Sequence, residues 1–272
     1  PRFREGRILE GGMASLAQAQ TIDLSGQVAI VTGGTRGLGR DIAAALAGAG
    51  ARVVAFARNA PEQPIEGVSF LLGDIRDAEV AKALVDQVVA EHGRLDILVN
   101  NAGGSPAVAA ESASPRFVEA ILKLNLVAPL HLAQAAHPHM VRTGGGSIVN
   151  IASVSGIRPS PGTAVYGAAK AGLLNLTQSL AQEWGPAGVR VNAIIAGLMQ
   201  TETAEATYGD AEAQAAVGRS MPLQRMGTGA DLAGAVLWLC SPLAAWVSGA
   251  RINVDGGGER PYFLDLVKGA KA

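Results

Sequence analysis

Short runs of β-branched and aliphatic residues alternate along this chain with longer Ala- and Leu-rich stretches. The short runs are VAIVT at 28–32, RVVAFA at 52–57, SFLL at 69–72, DILVN at 96–100, SIVNI at 147–151, VRVNAII at 189–195 and RINV at 251–254. Most are apolar at nearly every position rather than at every second one, the mark of a strand buried on both faces. Helical patterns fill the gaps near 38–49, 77–92, 115–141, 164–184, 202–217 and 229–240. Strands joined by helix-length crossovers predict a seven-stranded parallel sheet with helices on both faces, a doubly wound α/β fold of Rossmann type. No internal repeat and no linker rich in Pro, Gly or Ser divides the pattern, so residues 22–258 read as one domain. The polar opening PRFREGRILEGG makes 1–21 an extension outside the fold, 196–229 reads as an irregular lid segment, and 259–272 as a tail.

Composition narrows the function classes. A chain of 272 residues, 49% hydrophobic and 17% charged, can build a sizeable core. A net charge of −1 without any basic run argues against nucleic-acid and anionic-membrane partners, and no apolar run approaches a transmembrane span. The single cysteine, Cys240, excludes an internal disulfide; with the lack of a secretory apolar segment it points to a reducing, cytoplasmic compartment. His137 and His139 flank Pro138 with no carboxylate or thiol at ligand spacing, so no metal is expected. No G-x-S-x-G elbow supports a serine hydrolase.

In a doubly wound sheet, ligands sit beyond the carboxyl ends of the strands, which directs attention to the loops there. After the first strand comes TGGTRGLGR, with Gly33, Gly37 and Gly39 around Thr35, Arg36 and Leu38. Such a turn lets backbone N–H groups and a helix N-terminus meet a pyrophosphate. With 35 glycines in the chain, three at these offsets arise by chance roughly 0.6 times, so a plain turn stays open and the weight comes from placement. The second strand ends at Ala57 and Arg58, and no Asp or Glu stands between Asp41 and Glu62. Where an NAD site would place an acid on the ribose 2′-hydroxyl, Arg58 and Arg36 suit a 2′-phosphate, and hence NADP(H). The alternative is two solvated surface arginines.

The stretch VYGAAKAG sets Tyr166 one helical turn before Lys170. With 3 Tyr and 5 Lys in the chain, chance supplies such a pair about 0.06 times. Ser153 lies thirteen residues before Tyr166 in NIASVSG, NNAG follows the fourth strand at 100–103, and KLNL carries Asn125. With the glycine loop, these motifs resemble the single-domain branch of the short-chain dehydrogenase/reductase family, from about Leu24 to Gly257. The resemblance implies that Tyr166 is the general acid/base and Ser153 the group that holds the substrate oxygen. Lys170 would lower the phenol pKa and bind the nicotinamide ribose, and Asn125 would position a water in the proton relay. Asp74 and Ile75 would meet the adenine, Asn101, Ala102 and Gly103 would line the cofactor, and Gly197 and Thr201 would meet the nicotinamide. Asp74 also suits a helix N-cap. Asn100 reads as structural, and Ser155, eleven residues from Tyr166, does not match the family spacing. A free phenol ionises near pH ~10; one ammonium at ~4 Å in an effective dielectric of ~20 lowers that by about 3 units. One departure stands out: Ala196-Gly197 replaces the family's Pro-Gly, which should loosen the start of the lid.

These readings combine into an NADP(H)-dependent carbonyl reductase or alcohol dehydrogenase acting on a ketone or secondary alcohol, an oxidoreductase whose partner is a small molecule. Small and apolar residues at 103–112, 154–162 and 196–229 suit a carbonyl on a hydrophobic body, such as a 3-oxoacyl thioester, a steroid or a small cyclic ketone. A non-catalytic NADP-sensing regulator would need the glycine loop but not Ser153, Tyr166 and Lys170. An enoyl- or dienoyl-thioester reductase would usually alter the Tyr and Lys arrangement. The 164–184 helix carries Leu173, Leu174, Leu176, Leu180 and Trp184, so its outer side is expected to need covering, and relatives use it in dimers and tetramers. Tyr262, Phe263 and Leu264 of the tail are expected to pack on a neighbouring subunit or beside its active site.

Overall fold

A computed structural model describes residues 21–202, 204–261 and 263–266. Seven strands form one parallel sheet: β1 (Val28–Thr32), β2 (Arg52–Ala57), β3 (Val68–Leu72), β4 (Ile97–Asn100), β5 (Gly146–Ser153), β6 (Val189–Ala196) and β7 (Arg251–Val254). Their order across the sheet is β3-β2-β1-β4-β5-β6-β7, so the direction of winding reverses between β1 and β4. The crevice beyond Thr32 and Asn100 is therefore where a ligand belongs.

The uniformly apolar runs are buried as expected. β1 and β4 are buried at every position, whereas the edge strands β3 and β7 have no fully buried one. Helices α1 (Gly37–Gly48) and α8 (Gly229–Cys240) cover one face, packing Ile42, Leu46, Leu232 and Val236 on Val31, Val99 and Ile194. On the other face, α2 (Ala78–His92), α4 (Ala128–Arg142) and α5 (Ala164–Trp184) pack Val85, Leu132 and Leu180 on Ile30, Leu98 and Val191. Asp96, which the sequence places in the fourth strand, stands just before it. Its carboxylate accepts from the Val28 amide at 2.8 Å and from Arg94, tying the starts of β1 and β4 together.

Several expectations need correction. The helix expected over 115–141 is α3 (Pro115–Leu122), a π turn at Lys123–Val127, and α4. The helix expected over 202–217 breaks at Gly209, whose φ of 86° ends α6 (Glu205–Tyr208), before Asp210 caps α7 (Ala211–Ser220) through the Ala213 amide. Leu173, Leu174 and Leu180 of α5 turn inward; the outer stripe is Ala164, Ala168 and Ala171, then Asn175, Gln178 and Gln182. Alanine and glutamine there remove the argument that leucines demand a cover. Ala196 is the last residue of β6, paired to Ser153 on one side and Val254 on the other, so the 196–229 segment starts from a paired strand residue. Phe263 opens the helical turn α9 (Phe263–Leu266) and is exposed, while Tyr262 lies outside the described residues, as do 1–20.

Candidate active site

The strand ends and the helices behind them bring the four candidate catalytic side chains to one place. Ser153 closes β5, and its Oγ accepts from the Ser155 amide at 3.1 Å, which fixes the oxygen. That serine stands near enough to the Tyr166 hydroxyl, at the start of α5, to favour its ionised form. One turn on, Lys170 Nζ lies 5.6 Å from the Tyr166 ring centroid and donates to the Ile151 carbonyl at 2.8 Å. Ser155 instead accepts from Ser160.

Asn125 sits in the π turn, fully buried. Its Nδ2 donates to the Ile121 and Gly104 carbonyls at 3.0 Å, and its Oδ1 accepts from the Gly104 amide at 2.9 Å. A π turn widens a helix by one residue and re-aims a side chain, a device frequent at functional sites. A Cβ on Gly103 would lie 2.7 Å from Asn125 Oδ1 and 3.1 Å from Lys170 Nζ, so glycine is required where these two groups converge. A buried polar chain anchors α5 behind them: Asn100 donates to Asn150, Asn150 to Thr177, and Thr177 to the Leu173 carbonyl. The structural reading of Asn100 holds, but Asn150 and Thr177 were not singled out in the sequence, because an Asn or Thr inside a strand or helix carries no local signal of its partners.

Electrostatics departs from the sequence expectation. Burial pushes the Tyr166 phenol above its ordinary value; the Ser153 side chain works against this, and the nearby Tyr208 phenol adds to it. Lys170 does not offset the burial, since desolvation lowers its own pKa to about 8. Removing both groups from water outweighs their mutual effect at this separation. Cys240 is no nucleophile: burial pushes its thiol up to about 12.

At the glycine loop, Gly33 and Gly37 hold positive φ angles of 66° and 52°, and a Cβ on Gly39 would sit 2.2 Å from the Gly33 carbonyl oxygen. The turn therefore packs α1 directly against the end of β1. Thr32, unmarked in the sequence, staples the neighbouring loop: its Oγ1 accepts from the Asn101 and Ala102 amides at 3.0 and 2.9 Å. Asn101 Nδ2 donates back to the Thr32 carbonyl. The Gly37 amide points at a carboxylate, that of Glu202, so an anion already suits the N-terminus of α1. The Gly37 amide at the start of α1 and the close-packed glycines of the turn fit a dinucleotide.

Arg36 and Arg58 are both exposed, and Ala57 stands between solvent and core at the end of β2. Asp74 is bound by the Arg76 guanidinium and amide, and these hold its carboxyl below the usual range, with the Arg58 charge adding last. The helix cap proposed for Asp74 belongs to Asp77, which accepts from the Glu79 and Val80 amides. Ile75 is buried beside it. Gly197 donates to the Val254 carbonyl, and Thr201 accepts from the Ala204 amide through its own carbonyl. The 196–229 segment also holds Met221 and Met226, both buried, and places Tyr208 near enough to Tyr166 to raise its pKa, while Arg158 and Glu259 act on Tyr208 in turn. Arg158 pairs with Glu259, its guanidinium donating to Oε1 at 2.8 Å. His137 stacks on Trp184 and His139 meets Asp86 and Arg142; among the described residues no cluster of three His, Cys, Asp or Glu could hold a metal, and no helix is long and apolar enough to cross a membrane.

Comparison with known proteins agrees with this geometry. The family described as Enoyl-(Acyl carrier protein) reductase matches residues 33–259. The 2-dehydro-3-deoxy-D-gluconate 5-dehydrogenase of Escherichia coli is 36% identical, over 86% of this chain and 96% of its own. Human dehydrogenase/reductase SDR family member 4 is 34% identical, over 90% and 92%. A crystal structure described as an NAD(P)-dependent gluconate 5-dehydrogenase of Beutenbergia cavernae, with bound NADP at low occupancy, superposes with a TM-score of 0.79. It is 33% identical and covers 87% of this chain and 98% of its own. With a parallel sheet wound around the Ser153, Tyr166 and Lys170 cluster and relatives spanning nearly its whole folded length, the chain belongs to the short-chain dehydrogenase/reductase family of oxidoreductases.

Proposed function

We propose that the protein is an NADP(H)-dependent oxidoreductase that interconverts a ketone and a secondary alcohol. The observation that carries this reading is the convergence of Ser153, Tyr166, Lys170 and Asn125 at the mouth of a glycine loop that accepts an anion. The bound cofactor supplies or takes the hydride; the protein handles the proton. Ser153 holds the substrate oxygen, with its own oxygen oriented by the Ser155 amide. Tyr166 gives the proton to that oxygen during reduction and takes it back during oxidation. Lys170, fixed on Ile151, and Asn125, fixed on Gly104, line the route by which the phenol is reprotonated.

The sequence suggested a hydrophobic substrate body. Tyr208 near Tyr166, with the charged pair Arg158 and Glu259 acting on Tyr208, instead supports a hydroxylated one, as do the sugar-acid dehydrogenases among the relatives. The matching family's description favours a second reading, reduction of an enoyl thioester. The four-residue Tyr–Lys offset and the placement of Ser153 near the Tyr166 hydroxyl support carbonyl chemistry over it. The test is kcat/KM with NADP(H) for a panel of polyols and sugar acids, a 3-oxoacyl thioester, a steroid ketone and an enoyl thioester. Turnover of the enoyl thioester alone would overturn the carbonyl reading.

Because burial keeps the phenol protonated beyond its ordinary range, the site is poised as an acid at neutral pH. Carbonyl reduction is expected to be fastest at neutral or lower pH and to decline towards alkaline pH, while alcohol oxidation climbs over the same interval. Pre-steady-state hydride-transfer rates in both directions check this; parallel pH profiles would contradict it.

A further inference from the structure

The N-terminus of α1 has no cap of its own. Arg36 occupies the capping position without a side-chain bond, and the first turn holds no acidic residue. The acceptor arrives from 165 residues away: Glu202 Oε1 accepts from the Gly37 amide at 3.2 Å. A Cβ added at Gly37 would lie 3.4 Å from Glu202 Oε2, so the whole carboxylate rests on the turn. Asp41, in the same helix, has its carboxyl raised by burial and then by the charge of Glu202. Two acids thus share one end of α1 and repel each other. A charge-assisted bond that is exposed and opposed by a like charge is weak enough to exchange.

An anion on the first amides of the helix after the glycine turn stands where a dinucleotide pyrophosphate stands. We propose that Glu202 is an intramolecular anion that occupies the pyrophosphate position of the glycine loop in the cofactor-free protein, and that the cofactor displaces it on binding. The proposal rests on the NADP(H) reading above. Glu202 follows Thr201 directly and belongs to the 196–229 segment, so its tether holds that segment across the loop. Arrival of the pyrophosphate releases it, and capture of the cofactor and rearrangement of the lid become one coupled equilibrium. Part of the cofactor's binding free energy is then spent on displacing the carboxylate, which lowers the observed affinity.

The test compares wild type with Glu202→Gln and Glu202→Ala by fluorescence titration of NADPH and by calorimetric titration of inorganic pyrophosphate. Both variants are expected to bind both probes about 3- to 30-fold more tightly at low salt. The gain should shrink at high salt, because the competing contact is exposed. Amide exchange at Gly37 in the cofactor-free protein should be faster in both variants than in wild type. Equal or weaker affinity in both variants would overturn the proposal while leaving the cofactor reading intact: equal affinity with a lowered Tm would make Glu202 a plain helix cap, and weaker affinity a direct cofactor contact. If neither wild type nor variants bind NADPH or NADH, the cofactor reading itself falls and the proposal with it.

Discussion

Tyr166→Phe is expected to lose about 10²- to 10⁴-fold in kcat while keeping the fold and cofactor affinity. The substitution removes one hydroxyl and leaves a ring of the same shape, so packing on the α5 face is retained. What disappears is the hydroxyl beside Ser153 and, with it, the proton proposed to pass to the substrate oxygen. Ser153 keeps its bond to the Ser155 amide and Lys170 keeps its bond to the Ile151 carbonyl, so the remaining groups stay in place. Unchanged thermal unfolding and NADPH affinity, with kcat collapsed, is the expected pattern. A variant that kept more than half of wild-type kcat would remove Tyr166 from the proton path.

Wild type is expected to prefer NADP(H) over NAD(H) by roughly 10- to 10³-fold in kcat/KM, and the double substitution Ala57→Asp, Arg58→Gln to reverse that preference. A 2′-phosphate brings up to two negative charges to the end of β2. There Arg58 and, across the glycine loop, Arg36 offer guanidinium groups, and Asp74, an acid on which the Arg58 charge acts, is already met by Arg76. Both arginines are exposed, so screening favours the lower end of the range and a preference that falls with added salt. An acid at position 57 would repel the phosphate and accept from a free 2′-hydroxyl. Ala57 lies at a strand end between core and solvent, so the exchange should leave the Tyr166 chemistry intact. An NADH value equal to or above the NADPH value in wild type would show that these arginines do not read the phosphate.

The strands, the glycine loop and the Tyr166–Lys170 pair were legible in the chain because each is a local property. A run such as VAIVT buries on both faces wherever it is placed, and a four-residue offset puts two side chains on one helix face whatever surrounds them. Spacing to Tyr166 singles out Ser153 over Ser155, and in the structure it is Ser153 whose side chain acts on the phenol, while Ser155 accepts from Ser160. The cap was misplaced by three residues, from Asp77 to Asp74, because two acids of similar local pattern flank Arg76 and only the backbone turn decides between them. The inward turn of the α5 leucines was missed for a similar reason: a helix rich in both leucine and alanine has no strong polar face from which to read its orientation.

By itself, then, the sequence determined the order of elements and the family pattern, and through that pattern nominated the groups proposed to react, since these depend on short-range geometry and periodicity. Tertiary structure alone decided what those groups experience. The π turn that aims Asn125 at Gly104, the staple of Thr32 on Asn101 and Ala102, and the reach of Glu202 to Gly37 all join residues distant in the chain. The direction of the Tyr166 and Lys170 shifts was decided there as well, because desolvation is a property of everything packed around a group, and that packing outweighed the single charge that the sequence could place beside it.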